Sequence, residues 1–142
     1  MKKLLLAATI VLLLVNCETG TSQEINPEMA KLEGKWQLVK IVAGFRAANS
    51  PAESIPTYQE TLAFDFAKKT FSRTKEGKTT PIKIANLTNG GTVAREAIIF
   101  EKEDTYSFYS FTENPTYLVL YQPTPIGAIL ADGSSFFYET VK

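Results

Sequence analysis

Histidine is missing from this chain of 142 residues, cysteine occurs once and tryptophan once. Without histidine there is no Ser–His or Cys–His nucleophile and few routes to a zinc site; with one cysteine there is no intrachain disulfide. Neither sign of charge is in excess, with fifteen basic and fifteen acidic residues. No basic patch with interleaved aromatics marks a nucleic-acid surface. No apolar run reaches the roughly 20 residues that span a bilayer as a helix. Beyond residue 33 no stretch holds a helical period, which argues against a parallel sheet with crossover helices. These absences point to an all-β protein that is not an enzyme and uses no cofactor or metal.

What is present begins with a leader. Lys2 and Lys3 form a basic start, and Leu4 to Val15 is an apolar run of twelve residues, the length of a signal-peptide core. It ends at Leu14-Val15-Asn16-Cys17, with Leu three residues ahead of the only cysteine. That arrangement resembles the lipobox of bacterial lipoproteins, although Asn16 stands where Gly or Ala is usual. The resemblance implies cleavage before Cys17, lipidation of its thiol, and anchoring in the cell envelope at the outer membrane. Residues 1–16 are then a signal peptide, and 17–26 are the lipidated cysteine with a polar tether rich in Ser, Thr and Gly. Residues 27–142 form one domain, long enough to bury a core without staples. The mature chain carries thirteen basic against fifteen acidic residues.

The domain is organised around Leu32-Glu33-Gly34-Lys35-Trp36-Gln37-Leu38-Val39. Asn26-Pro27-Glu28 reads as an N-cap, a first helical proline and a dipole-favoured acid, which predicts a helix over 27–32. Trp36 follows as a large ring whose N–H wants a partner, suited to the end of a core. Gly34 is expected where another backbone passes close to the strand start. A short helix followed by Gly34-Lys35-Trp36 at the head of the first strand resembles the lipocalins, and more closely the short lipocalin-like domains of bacterial lipoproteins. The resemblance implies an eight-stranded antiparallel up-and-down β-barrel, with Gly34 and Trp36 at its floor and a small hydrophobic or amphipathic ligand inside. Lipocalins also pack an Arg over the Trp from near the last strand; here no Arg follows Arg95, which leaves Lys142 as a substitute.

Turn signals divide the remainder into strands expected at 34–42, 59–66, 70–76, 79–87, 92–101, 105–111, 116–122 and 136–141. Alternate connections of a meander share an end, so the two long ones, Ala43–Thr57 and Pro123–Ser135, rim a single mouth opposite the helix. Leu62, Phe64 and Phe66 face inward by alternation. If Phe71 shares that side so do Arg73 and Lys75, and if Trp36 does so does Lys40. An inward cation suits the carboxylate of an anionic amphiphile; the plain alternative is that these side chains snorkel to the rim. Phe45 and Arg46 are placed as a lid, and Tyr109 as a lumen aromatic. Tyr106 to Phe111 and Tyr117 to Tyr121 carry rings or large apolar groups on both faces, so one set must be covered or exposed. Glu101, Glu103 and Asp104 lack the calcium-loop spacing and its glycine and read as a solvated turn. The competing expectation is a structural or interaction module of the envelope whose barrel is filled by its own side chains.

Overall fold

The computed structural model describes residues 26–44, 52–88, 93–129 and 132–142. The leader, Cys17, the tether before Asn26, Phe45 and Arg46 lie outside these residues. The side chain of Asn26 accepts a hydrogen bond from the Glu28 N–H at 2.8 Å, and Pro27 starts a single helical turn, α1 (Pro27–Ala30). The chain then buries Leu32 completely before entering β1 (Gly34–Val42). Gly34 has a φ of 110°, a conformation that side chains with a Cβ rarely adopt. No heavy atom lies within 4 Å of the position a Cβ would take. The glycine therefore serves the backbone turn into the strand, not the close approach expected from the sequence.

From β1 the chain runs through β2 (Glu53–Ser54), β3 (Glu60–Asp65), β4 (Thr70–Lys75), β5 (Lys78–Pro81) and β6 (Lys83–Leu87). It continues through β7 (Arg95–Phe100), β8 (Thr105–Phe111), β9 (Leu118–Tyr121), β10 (Thr124–Pro125) and β11 (Ser135–Thr140). The sheet is antiparallel throughout, in the order β5-β4-β3-β1-β11-β9-β8-β7-β6, with β2 on β1 and β10 on β8. The two ends of that path, β5 and β6, are neighbours in sequence, so the sheet curls into a nearly closed barrel. The described residues thus hold eleven strands, nine in the continuous path, instead of eight. The expected strand 79–87 is broken: Pro81 has no N–H to extend the ladder with, and Ile82, its side chain buried, donates to the Phe71 carbonyl at 3.1 Å. Lys83 then pairs with Ile99 on the far side of the gap.

A second irregularity lies in β1. Leu38 pairs with Tyr138 and Lys40 with Phe137, so Val39 is an extra residue in a bulge. Trp36 and Leu38 pack inside, the bulge shifts the alternation by one, and Ile41 rather than Lys40 returns to the core. Lys40 lies on the outer face, with its ammonium 4.6 Å from the Phe137 ring, 5.5 Å from that of Tyr117 and 3.3 Å from Glu53. The expectation that Lys40 shares the face of Trp36 fails for this reason.

The floor is built on Trp36. Its Nε1–H donates to the Leu32 carbonyl at 2.8 Å, and the Phe111 ring lies 5.8 Å from the indole. Leu32, Leu62, Phe64, Ile82, Ile98, Phe100, Leu118, Leu120 and Tyr138 complete the main core. The aromatic segment resolves by face: Tyr109 and Phe111 join this core, whereas Tyr106 and Phe108 form a second cluster with Ala97 and Ile99. The segment after β10 reaches this cluster at Tyr106, whose hydroxyl donates to the Ala128 carbonyl at 3.0 Å, and the Arg95 guanidinium lies 4.6 Å from the Phe108 ring centre.

Trp36→Phe leaves the buried Leu32 carbonyl without its donor, and a loss of about 1–3 kcal/mol is expected in urea unfolding. Ile82→Ala removes a core side chain at the point where the barrel changes partners, and about 2–5 kcal/mol should be lost.

Candidate functional site

Alternation along β3 puts Glu60 on the same inward face as Leu62 and Phe64, and its register sets Leu62 opposite Arg73 of β4. Opposite Leu38 of β1, β11 contributes Tyr138. The three polar side chains meet inside the barrel. Arg73 Nη2 donates to Glu60 Oε2 at 2.9 Å, and the Tyr138 hydroxyl donates to Glu60 Oε1 at 2.6 Å. Arg73 Nη1 also lies 3.6 Å from Glu103 Oε1, and its guanidinium sits 4.6 Å from the Phe100 ring centre. Both Glu60 and Arg73 are buried, so each depends on the other: an isolated charge in such a place is costly.

The electrostatics follow the geometry. Burial works against the Arg73 cation, but the hydrogen bond and charge of Glu60, helped by Tyr138 and Glu103, more than offset it and hold the pKa above its ordinary value. Burial, followed by the Glu60 charge and hydrogen bond, pushes the Tyr138 phenol well above its ordinary 10.0. Tyr58 is raised as well, by burial first and then by Glu60. The Lys75 ammonium rests over the Tyr58 ring at 4.2 Å.

Around this network opens a cavity of about 350 Å³. Tyr58, Lys75, Gln122 and Pro123 form its polar side and rim, with Phe100, Leu120 and Phe136 as its apolar wall. It lies at the end of β1 away from Trp36, where the two long connections leave and return. Gly44 and Gly133, one from each connection, touch there so closely that a Cβ on Gly44 would collide with the Gly133 carbonyl. In the floor half the rings of Trp36, Phe64, Phe71 and Phe111 pack together, and a second cavity of about 510 Å³ opens at that end beside Asn26, Glu96, Tyr109 and Phe111.

Of the candidates read from sequence, Arg73 lines this cavity. Phe64 is buried in the core with its ring 5.9 Å from that of Phe71, and Phe66 packs 5.0 Å from the same ring. Lys40 is outside. Tyr109 is at the floor end, where its hydroxyl donates to Glu96 at 2.6 Å and Asn26 Nδ2 donates to the same carboxylate at 3.2 Å. Burial, then the hydrogen bond and charge of Glu96, raise the Tyr109 pKa. The acidic turn is not simply solvated: Glu101 pairs with Lys83 and Glu103 with Arg73. Among the described residues no three potential metal ligands gather. The residues that sequence reasoning missed are Glu60, Tyr138, Tyr58 and Gln122. Glu60 was within reach, since the alternation of Leu62 and Phe64 extends to it two residues upstream. No family model, curated protein or solved structure matches this chain.

Because removing one partner strands a buried charge, Arg73→Leu and Glu60→Leu should each cost about 3–5 kcal/mol, and the double variant should recover most of it. Three phenols with raised pKa values set the alkaline behaviour. Below pH 10.0 they are protonated in folded and unfolded chains alike, so their contribution is complete. Above that pH the unfolded chain ionises first and stability falls. Unfolding midpoints followed beyond pH 10.0 should show this fall, and Tyr138→Phe should flatten it.

Proposed function

We propose that this chain is a lipid-anchored lipocalin-like protein of the bacterial cell envelope that holds a small amphipathic molecule in its barrel and catalyses no reaction. The observation that carries this is the cavity of about 350 Å³ at the loop-rimmed end. It falls within the range of small-ligand sites, whose lower bound is roughly 300 Å³. Its wall is divided, with Phe100, Leu120 and Phe136 against an apolar body and Tyr58, Lys75 and Gln122 toward a polar head. The lipobox-like Leu14 to Cys17 and the Gly34-Lys35-Trp36 entry support the envelope and lipocalin-like parts of the proposal. A second reading, a structural module with a filled barrel, is favoured by the rings of Trp36, Phe64, Phe71 and Phe111 packed inside and by the buried Arg73–Glu60 ion pair.

Titration with the neutral fluorophore N-phenylnaphthylamine separates the two. Binding that Gln122→Trp weakens at least about tenfold, with Lys35→Ala unchanged, is the outcome expected of a ligand site. A wild-type barrel that binds neither this probe nor any lipid in native mass spectrometry of protein taken from its own membrane would leave the filled-barrel reading. The anchor has its own check. Full-length protein should sediment with membranes and incorporate labelled palmitate, and Cys17→Ser should abolish both.

A further inference from the structure

The break at Ile82 leaves a seam. Over β5 the sheet has β4 on one side, but on the other side no strand among the described residues pairs with it, because β7 takes β6 as its partner. The turn between β7 and β8 stands across that gap instead, and a cavity of about 320 Å³ lies between them. Arg73, Lys75, Lys78 and Lys102 face it with only two carboxylates, Glu76 and Glu103. Glu103 is already engaged by Arg73. Among the described residues, Lys75, Lys78 and Lys102 have no carboxylate within ion-pair distance. The same is true of Lys35, Lys69 and Lys142, but Lys75, Lys78 and Lys102 crowd about one cavity, with the Lys75 ammonium over the Tyr58 ring. Lys78 and Lys102 line the same cavity, and the nearness of the Lys78 side chain and its like charge lower the Lys102 pKa. Arg73 Nε, on a residue only 9% exposed, has no hydrogen-bond partner.

Crowded like charges that the fold leaves uncompensated mark a place where local stability has yielded to another requirement. Four basic side chains lining one cavity against two carboxylates suit one class of occupant, an oxyanion able to accept charge-assisted hydrogen bonds from several donors. We infer that the seam between β5 and the β7–β8 turn is an oxyanion site, formed by Lys75, Lys78 and Lys102 with Arg73 behind them. Arg73 and Lys75 also line the mouth cavity, so the two spaces meet at those side chains. An amphiphile seated in the mouth can therefore place a phosphate or carboxylate head in the seam, while its apolar part lies against Phe100, Leu120 and Phe136. This second step rests on the proposed ligand-binding function; the oxyanion site itself does not.

The probes are octyl phosphate, octyl glucoside and inorganic phosphate, each titrated by calorimetry into the wild-type chain and into Lys78→Gln/Lys102→Gln. Both lysines are exposed, so the variant should fold, and relief of repulsion should leave its urea midpoint equal or higher. Octyl phosphate should bind about tenfold or more tightly than octyl glucoside, with a salt-dependent affinity, and the double variant should lose that margin while keeping octyl glucoside. Lysine-dependent binding of inorganic phosphate, with no gain from the octyl chain, assigns the site to a free anion and still supports it. If neither phosphate compound shows binding that the two lysines alter, or if the variant loses stability, the oxyanion site is overturned. Failure of octyl glucoside to bind while phosphate binds would refute the mouth reading alone.

Discussion

A curled sheet must do something with its two edges, and here one segment of chain, residues 78–87, meets both. Its first half pairs with β4, its second half with β7, and Ile82 is the pivot, buried at 3% exposure. Closure through a shared strand removes most of the exposed edge without a continuous ladder. The rest of the architecture follows from this arrangement. Where the ladder is missing, side chains hold the barrel shut: Arg73 reaches Glu103 across one gap, and Lys83 reaches Glu101 nearby.

The interior is divided along its axis. The floor half is largely apolar and aromatic, with the indole N–H of Trp36 satisfied by the Leu32 carbonyl and the Glu96 carboxylate held by Tyr109 and Asn26 at its end. The mouth half is built on Glu60, which accepts from Arg73 and from Tyr138 and so gathers three strands around one carboxylate. Such a network adds little net stability compared with well-packed apolar groups, yet it fixes geometry, because each member is costly without the others. That rigidity keeps the neighbouring space open and polar on one side, whereas apolar residues would have collapsed into it.

Much of this plan was legible in the amino-acid pattern. Short segments between turn residues give an antiparallel meander, alternation puts Leu62 and Phe64 inside, and hairpin parity sets both long connections at one end. What was not legible came from single-residue irregularities. The bulge at Val39 turns Lys40 outward, and the break at Pro81-Ile82 splits a strand that reads as continuous. Period-two reasoning cannot locate a slip of one residue, since each side of the slip looks regular by itself. The outward rings of Tyr106 and Phe108 posed a question that the sequence raised without answering, because their partners, Ala128 for the Tyr106 hydroxyl and Arg95 for the Phe108 ring, lie on other segments of the chain.

The leading segment joins the barrel at its stoppered end, where Asn26 is latched to Glu96 beside Tyr109. The chain ahead of Asn26 therefore leaves the barrel at the end opposite the cavity between Glu60, Arg73 and Tyr138, so whatever is attached to that segment stands away from the Gly44–Gly133 rim.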